Sequence, residues 1–433
     1  MTRLLHIVFA VCTLCSVCYT PAFAQDYARL SERTIMGSAR YVGMGGAMTA
    51  IGGDPSAVMD NTAGLGLYRR PEVTLTLDYS DYFMAPQSSV VFSVPTDKLG
   101  LDGVQFHNFM VSYHRVHSFY RNGRFASDSP QPSLGALFAL TDGTIAIPYC
   151  ADRYNAASEI ALVERGYVNE YGFNWAMNIS NRWYLGLGLR VHSFSMSSEG
   201  DYVESFNRQN ADLLPYYNSS HTTLIFNGAG CSLSTGIIYR PTQWLRLGLG
   251  FETPSLGTVT TNTTGRLETR TDSLYWETAP NLATRASDLH MPLHLSTSVA
   301  FQISRYALLA LQYDLRHNKY MQNMHSLRTG LEIVPFAGLY INGGYAFESV
   351  FSKTMPVVSL DPTLMRQDAY FQATRWQQYI SCAVGYRGRF VMVQAAYQYR
   401  QQHAVLFAHE NADPYNMNTT THRIVLTVGW HGR

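Results

Sequence analysis

Alternating apolar and polar positions mark several stretches of the chain as β-strands. From Trp183 to Val191 the odd-numbered residues are all apolar, whereas the even-numbered residues from 186 to 192 are two glycines, an arginine and a histidine. The same alternation occurs in residues 245–252, 309–316 and 423–430. Because successive side chains of a strand point to opposite faces, each stretch predicts a sheet with one apolar and one polar face.

The residue types on the polar face separate two all-β architectures. A soluble β-sandwich also alternates, but its inward face is packed with bulky residues, so a face that combines glycine with charge is unusual for it. In a membrane barrel the apolar face contacts lipid and the polar face lines the lumen. The pattern therefore favours a transmembrane β-barrel, with the soluble sandwich as the alternative.

Short and long connections alternate through the last two thirds of the chain. The short ones are Ile179 to Arg182, Arg240 to Gln243, Ser304 to Arg305, Pro335 to Ala337 and Arg387 to Gly388. The long ones are Ser198 to Thr222, Pro254 to Leu289, Glu348 to Trp376 and Gln401 to Thr420, and Asn318 to Gln322 is a short member of that set. Short periplasmic turns and longer external loops are typical of outer-membrane barrels.

The predicted strand number is fourteen. Thirteen strands are predicted near residues 72–80, 107–117, 166–178, 183–197, 223–239, 244–254, 290–303, 306–317, 324–334, 338–347, 377–386, 389–400 and 421–430. Single-chain bacterial barrels have even strand numbers, so one more strand is expected before residue 166, either Ser88 to Val94 or Pro132 to Leu140. Residues 71–433 are thus predicted to form an all-β membrane barrel of about 14 antiparallel strands.

The chain begins with the pattern of an exported protein. One basic residue, an apolar stretch and the ending Ala22-Phe23-Ala24 predict that residues 1–24 are a signal peptide cleaved after Ala24. Fourteen strands enclose more space than side chains alone can fill, so the lumen is open or another part of the chain occupies it. Residues 25–70 are the only sizeable stretch outside the strand plan and are predicted to be an N-terminal plug.

The glycine content of the predicted plug suits a compact insert. Residues 43–66 contain seven glycines, which permit tight turns. Asp54 is predicted to cap a short helix that begins at Pro55 and ends near Asp60.

Composition argues against nucleic-acid binding, metal binding and catalysis. The net charge is +1 and 15% of residues are charged, which does not favour a basic face for nucleic acid. The predicted mature chain keeps Cys150, Cys231 and Cys382, an odd number without the close spacing of a zinc site. No Gly-x-Ser-x-Gly motif occurs. We therefore expect no enzyme activity, no catalytic residues, no metal and no cofactor.

Four short motifs near the start resemble the opening of the mature FadL-type outer-membrane transporters. They are Ser38-Ala39-Arg40, Gly43-Met44-Gly45-Gly46-Ala47, Gly53-Asp54-Pro55-Ser56-Ala57 and Asn61-Thr62-Ala63-Gly64-Leu65, with Thr62 where the family has proline. The resemblance assigns a plug motif to Gly43, Gly45, Gly46, Asp54, Pro55, Asn61, Ala63 and Gly64. It implies an N-terminal plug, ligand entry at an external apolar groove and exit sideways through the wall. Some relatives are labelled haemin receptors, but no haem-ligand pattern occurs in this chain.

The expected function is uptake of hydrophobic small molecules, by resemblance long-chain fatty acids, by a monomeric outer-membrane transporter. The expected partners are this ligand and outer-membrane lipids, and no nucleic acid. The alternative is a PorV-like barrel, which serves as a docking and shuttle component of type IX protein secretion. Arg190, Arg246, Arg316 and Arg328 fall on the predicted lumen face, where guanidinium groups suit a ligand carboxylate. For any single arginine, a structural ion pair is the favoured interpretation.

Overall fold

The computed structural model describes residues 33–80, 84–96, 103–128, 154–208, 216–271, 275–277, 281–289, 291–318, 323–349, 370–373, 376–407 and 415–432. The predicted signal peptide (1–24), its cleavage site, the first part of the predicted plug (25–32) and the candidate strand at 132–140 lie outside the described residues. No helix in the described ranges is long and apolar enough to cross a membrane.

The described residues form eighteen strands. In chain order they are β1 Glu72–Ser80, β2 Met84–Pro95, β3 Val104–Asp128, β4 Tyr154–Ile179, β5 Trp183–Arg208, β6 Tyr216–Tyr239, β7 Leu245–Glu252, β8 Leu256–Thr271, β9 Tyr275–Glu277, β10 Asn281–Asp288, β11 Leu293–Ser304, β12 Ala307–His317, β13 Met324–Phe336, β14 Leu339–Glu348, β15 Tyr370–Ala373, β16 Gln377–Arg387, β17 Val391–Phe407 and β18 Tyr415–His431.

Fourteen of these strands close into one antiparallel barrel, as predicted. Strands β1 to β7 pair in chain order, each with its successor as far as β6 with β7. Strand β7 pairs with β11, and the ring continues through β12, β13, β14, β16, β17 and β18. Strand β18 pairs with β1 and closes the ring. The other four strands lengthen the wall, because β8 pairs with β6, β9 and β10, and β15 pairs with β17.

The strand missing from the sequence pattern is β2. It contains the candidate Ser88 to Val94 and pairs with both β1 and β3.

The two ends of the barrel differ in the length of their connections. The turns β4–β5, β6–β7, β11–β12, β13–β14 and β16–β17 lie at one end, which we call the short-turn end. We call the opposite end the long-loop end.

The outer face of the barrel is apolar, as the alternation predicts. Leu187, Leu189 and Leu247 are exposed, and large hydrophobic side chains on almost every strand of the ring are exposed with them. Stacked aromatic pairs occur near both ends of this band, Trp183 with Tyr239 at the short-turn end and Phe347 with Trp376 at the other. An apolar band between aromatic girdles is the outer surface of a membrane-spanning barrel.

Several strands are much longer than the pattern predicts. Strands β3 to β6 have 25, 26, 26 and 24 residues, whereas about 9–11 residues cross a membrane. The predicted loops 198–222 and 401–420 are therefore wrong over much of their length, since β5, β6, β17 and β18 extend into them. The predicted loop 254–289 is wrong as well, since it contains β8, β9 and β10. The alternation ends where the outward side chains become Ser193, Ser195 and Ser197, because there the outer face no longer meets lipid.

The N-terminal segment, residues 33–70, contains three short helical turns. They are α1 Ala39–Gly43, α2 Ala57–Asp60 and a 3-10 helix Thr62–Leu67. Helix α2 begins two residues after the predicted start at Pro55. Its N-cap is Ser56 rather than the predicted Asp54. The Asp54 carboxylate accepts a hydrogen bond of 2.9 Å from the Ser56 backbone N–H in the turn before the helix, and the Asp54 carbonyl accepts one of 3.3 Å from Val58.

Candidate functional site

The N-terminal segment contacts strands all around the ring. Its hydrogen bonds to the wall run from Ala39 N to Thr427, from Arg40 to Glu332, from Thr49 N to Gln312, from Arg246 to Ile51 O, from Asn61 to Ile237 O and from Asn108 to Leu65 O. These partners belong to β18, β13, β12, β7, β6 and β3. Most residues of the segment from Ile35 to Tyr68 are buried.

Glycines on the lumen side of the wall allow this close contact. A Cβ on Gly248 would lie 2.6 Å from Thr49 O, and one on Gly330 would lie 2.5 Å from Met44 O. Gly186 and Gly344 face the backbone of the segment in the same way, and Gly236 faces the Asn61 side chain. The combination of glycine and charge on one strand face therefore has a physical cause, because backbone packs directly against backbone at these positions.

The glycines of the predicted plug motif have two roles. Gly45 and Gly46 have φ angles of 61° and 74° and turn the chain after α1, a conformation that side chains disfavour. Gly43 packs against Ala383 of β16, and Gly64 packs against Gly52 within the segment. The motif glycines therefore serve tight turns and close packing.

The polar motif residues hold the segment together. Ser38 donates a hydrogen bond of 2.7 Å to the Asp54 carboxylate, and the Ser38 backbone N–H donates one of 2.7 Å to the Ser56 hydroxyl. Burial raises the pKa of Asp54. The charge of Arg40 and the hydrogen bonds that Asp54 accepts from Ser38 and from the Ser56 backbone N–H lower this pKa in part. Pro55 lies in the turn between the two acceptors. The polar motif residues thus connect the start of α1 to the start of α2 by hydrogen bonds.

Asn61 links the segment to itself and to the wall. Its side chain accepts a hydrogen bond from the Ala63 backbone N–H (3.0 Å) and donates to Thr49 O (2.9 Å) and Ile237 O (3.2 Å). Thr62 follows as the first residue of the 3-10 helix, a position that suits proline, and Asn61 has the extended backbone that precedes proline. Threonine at this position therefore leaves Asn61 free to cap the 3-10 helix.

A charged cluster spans β4, β5, β7 and the start of the N-terminal segment. Glu252 accepts hydrogen bonds from Arg190 (2.6 Å), Arg33 (3.2 Å) and Ser232 (2.8 Å). Arg33 also bonds Glu170 at 3.3 Å, and all of these side chains except Arg33 are almost fully buried. Two guanidinium groups therefore balance two carboxylates inside the lumen.

This cluster also contains three potential metal ligands. Glu170, His192 and Glu252 each offer one ligand atom within 4.8 Å of the others. The same carboxylates are already bonded by Arg33 and Arg190, so a cation would have to displace a guanidinium group. The arrangement is an ion-pair network rather than a vacant metal site.

A second charged cluster lies on β12, β13 and β14. Arg328 contacts Asp314 at 3.1 Å, Glu348 at 3.1 Å and Asp60 of the N-terminal segment at 3.5 Å. Tyr41 donates a hydrogen bond of 2.5 Å to Asp60. Segment and wall are therefore joined by charge on this side as well.

The four predicted lumen arginines differ in their partners. Arg190 and Arg328 are held in ion pairs, and Arg246 donates to the Ile51 carbonyl. Arg316 is buried with 4% of its surface exposed, and its Nε and Nη1 atoms have no hydrogen-bond partner among the described residues. It lies opposite His294 of β11. Arg190 Nε also lacks a hydrogen-bond partner among the described residues, but it lies 3.8 Å from Glu170. Of the four, Arg316 has the most buried nitrogen atoms without such a partner.

An apolar cluster lies inside the barrel, on the long-loop side of the first charged cluster. It consists of Phe119, Val168, Phe194, Met196, Leu224, Phe226, Val259, Leu289 and Met291. Val168 and Phe194 are the inward residues next to Glu170 and His192 on their strands. Along β4 and β5, the inward side chains thus change from polar to apolar between one inward residue and the next.

The sequence contains a signal for this cluster that the strand analysis missed. On β5 the apolar residues are odd-numbered up to Val191, but Phe194 and Met196 are even-numbered. On β6, Leu224 and Phe226 are inward and Leu233 and Ile237 are outward. A shift of the apolar residues from one strand face to the other marks the level at which the outer face leaves lipid and the inner face becomes apolar.

The hydrogen-bond ladder of the wall is interrupted between β2 and β3. Their pairing ends at Ser88 and Tyr113, and residues 84–87 pair with β1 but with no described residue of β3. Just beyond, β3 has a bulge between Arg115 and His117 in its pairing with β4. The residue at the bulge, Val116, packs against the apolar cluster. The interruption is therefore next to that cluster.

Comparison with solved structures supports a transporter fold. The model is similar to a FadL homologue of Pseudomonas aeruginosa, with 10% identity and a TM-score of 0.52 over 92% of this chain and 98% of the other. The fold is that of the FadL-type transporters. The toluene transporters TodX of Pseudomonas putida (12% identity, TM-score 0.54) and TbuX of Ralstonia pickettii (13%, 0.51) also share it, over 92% of this chain and 99% of theirs.

TodX and TbuX are described as toluene transporters. No protein-family model and no curated protein matches the sequence. At 10–13% identity the likeness concerns the fold.

Proposed function

We propose that the chain is an outer-membrane transporter that takes up hydrophobic small molecules. The observation that carries this proposal is the buried apolar cluster inside the barrel, formed by residues of β3 to β6 with Val259, Leu289 and Met291, which offers a hydrophobic solute an apolar surface. Apolar surface gains about 25 cal/mol per Å² on leaving water. The exposed apolar band, the short turns on one side and the FadL-type fold support the outer membrane as its location, with the short-turn end facing the periplasm.

Residues 25–70 act as the plug in this proposal. Support comes from the segment's bonds to six strands of the ring and from the wall glycines that receive its backbone. On the short-turn side of the apolar cluster, the described residues that fill the barrel are the charged clusters and this segment. A hydrophobic solute therefore meets polar groups there if it moves along the barrel axis. The monomeric state and the lack of a nucleic-acid partner stay predictions.

In this proposal, the solute leaves sideways through the wall between β2 and β3 and so avoids the polar groups along the barrel axis. The ladder ends there at Ser88 and Tyr113, beside Val116 and the apolar cluster. Gln87 and His114 approach each other across the interruption with a side-chain contact of 3.2 Å. A solute that leaves here passes from apolar interior to lipid without full hydration.

A cross-link tests the sideways exit. In a background with Cys150, Cys231 and Cys382 replaced by serine, we expect Gln87→Cys with His114→Cys, joined by a short bifunctional thiol reagent, to abolish uptake of labelled ligand. The matched control is Ser89→Cys with Ser112→Cys, which are paired in the closed ladder nearby, and cross-linking them should leave uptake unchanged. Full uptake through the cross-linked 87–114 barrel would contradict this exit.

The ligand carries a carboxylate in this proposal, and Arg316 binds it. The support is the buried guanidinium whose Nε and Nη1 lack partners among the described residues. A hydrogen bond to a charged group is worth about 1.5–3 kcal/mol, so Arg316→Gln should weaken binding of a labelled long-chain fatty acid by about 10- to 100-fold. Arg316→Lys should retain part of the affinity, since it keeps the charge but loses the planar fork.

Toluene uptake separates the two ligand classes. The Arg316→Gln barrel should take up toluene, or another uncharged aromatic, as the unmodified chain does. Arg246→Gln serves as the control, because that arginine is engaged with Ile51 O. Fatty-acid binding that is unchanged in Arg316→Gln would reject the carboxylate site while leaving hydrophobic transport intact.

A PorV-like docking role is the second candidate, and the long strands favour it. A strand of 25 residues is roughly 80 Å long, and the apolar band of a barrel is about 25 Å tall. Strands β3 to β6 therefore project well beyond the membrane and present surface to a protein partner. Loss of protein export on deletion of the chain, with fatty-acid uptake unchanged, would favour this role over transport.

A further inference from the structure

Arginine side chains are concentrated at the short-turn end of the barrel. Six of them are Arg69, Arg182, Arg240, Arg305, Arg387 and Arg389; five are exposed and Arg240 is half-buried. The described residues of the turns at 180–182, 240–244, 305–306 and 388–390 include no aspartate or glutamate. The β2–β3 turn, residues 97–102, has two aspartates and one lysine and lies outside the described residues.

This concentration is not a result of overall composition. The chain has 32 Lys and Arg against 31 Asp and Glu. Among the described residues, the acids nearest this end are Glu72 and Glu332, which are buried or largely buried. Glu332 bonds Arg40, and Glu72 contacts His431 at 2.9 Å and Arg387 at 3.7 Å. The short-turn end is therefore a rim of positive charge on a nearly neutral protein.

Three of these arginines lie over aromatic rings of the same rim. The guanidinium carbon of Arg305 is 4.6 Å from the ring centre of Tyr306, that of Arg69 is 4.7 Å from Phe106, and that of Arg389 is 5.1 Å from Phe390. Tyr306 and Phe390 are exposed. Aromatic girdles lie at the headgroup level of a membrane, so the stacked guanidinium groups lie at that level as well.

The distribution of the arginines identifies the kind of partner. They occur in the turns β4–β5, β6–β7, β11–β12 and β16–β17 and before β1, and are thus spread around the whole circumference. A globular partner would cover one sector of such a ring, whereas lipid surrounds all of it. Guanidinium groups match phosphate through paired hydrogen bonds, and a basic surface attracts anionic lipid.

We propose that this arginine rim binds the phosphate groups of anionic phospholipids in the leaflet next to the short turns. Each stacked pair then provides a charged fork for the phosphate and an aromatic face beside the glycerol and acyl chains. Binding of this kind fixes the height of the barrel in the membrane. The inference rests on the membrane-spanning barrel and is independent of the transported molecule.

Lipid selectivity tests the proposal. The full chain is reconstituted in phosphatidylcholine vesicles, and electron spin resonance measures how strongly spin-labelled phosphatidylglycerol is retained at the protein relative to spin-labelled phosphatidylcholine. An arginine near an anionic surface is worth about a fivefold preference, so we expect phosphatidylglycerol to be favoured about fivefold. The triple variant Arg69→Gln, Arg305→Gln, Arg389→Gln should reduce this ratio to near one.

A second triple variant with the same change in charge is the control. Arg124, Arg165 and Arg266 are exposed on the strand extensions at the long-loop end, and replacing them with glutamine should leave the preference unchanged. Equal loss in both variants would overturn the proposal, because net charge alone would then explain the effect. An unchanged preference in the rim variant would overturn it as well.

Two measurements on the unmodified chain do not depend on the folding of a variant. Raising the ionic strength should remove the preference, because phosphate binding is electrostatic; a preference that persists in high salt contradicts the proposal. Soluble glycerol phosphate without acyl chains should compete poorly. Equal competition would identify a site for free phosphate instead and would overturn the assignment to lipid.

Discussion

We expect the Gly344→Val variant to fold as a barrel that leaks. A Cβ at this position would lie 2.5 Å from the Met44 carbonyl carbon and would collide with the Gly45 backbone nitrogen. Valine suits a strand, so β14 still pairs with its neighbours, but the N-terminal segment has to move away from the wall. Overpacking of this kind costs about 1–3 kcal/mol. Entry of antibiotics and dyes into cells should rise, and the thermal unfolding temperature should fall.

The adjacent glycine supplies a matched control. Gly343 points to the outer face, and no described atom lies within 4 Å of a Cβ built there. Gly343→Val should therefore leave both permeability and unfolding temperature unchanged. A Gly344→Val barrel as tight as the control would argue against a segment that seals the lumen, whereas leakage in both variants would point to a general defect in the sheet.

Replacing Glu252 with glutamine should be the most destabilising single change in the lumen. Arg33 and Arg190 would then share Glu170 as their remaining carboxylate, and one positive charge would stay buried without a partner. Breaking a buried ion pair on one side costs about 3–5 kcal/mol. Urea unfolding of the reconstituted protein, followed by tryptophan fluorescence, measures the difference.

Removing a second charge should restore part of this loss. The double variant Glu252→Gln, Arg33→Gln returns the cluster to one guanidinium and one carboxylate, so we expect it to be more stable than Glu252→Gln alone. Glu159→Gln is the control, because this acid is 55% exposed and lies 3.9 Å from the exposed Arg124; exposed pairs contribute about 0–1 kcal/mol. A loss of less than 1 kcal/mol in Glu252→Gln would show that water screens the cluster.

The membrane-crossing part of the barrel could be predicted from the sequence, because lipid imposes a strict pattern. Most outward residues of a crossing strand are apolar, and this pattern, together with the alternation of short and long connections, identified thirteen of the fourteen strands. Strand β2 was ambiguous because two of the outward residues near its centre, Pro86 and Ser88, do not indicate contact with lipid. Only Val90 and Phe92 do so there. The lengths of β3 to β6 could not be predicted, since no such requirement holds above the membrane.

The partners of the charged residues could not be predicted from the sequence either. Arg190 and Arg316 occupy similar positions on lumen-facing strands, yet one is bonded to Glu252, which is 62 residues away along the chain, and the other has two N–H groups without a partner. That difference depends on the register of β5, β6 and β7 relative to one another. The apolar cluster was predictable in principle, from the change in parity between Val191 and Phe194.

The seam that closes the ring of strands also contacts the N-terminal segment. Nine consecutive residue pairs join β1 to β18, and Arg423 of β18 bonds both Asp78 of β1 and Ile35 O of the segment. One buried guanidinium group therefore connects both edges of the seam with the segment. Closure of the ring and the position of the segment are thus energetically coupled, because loss of either removes a partner of the same charge.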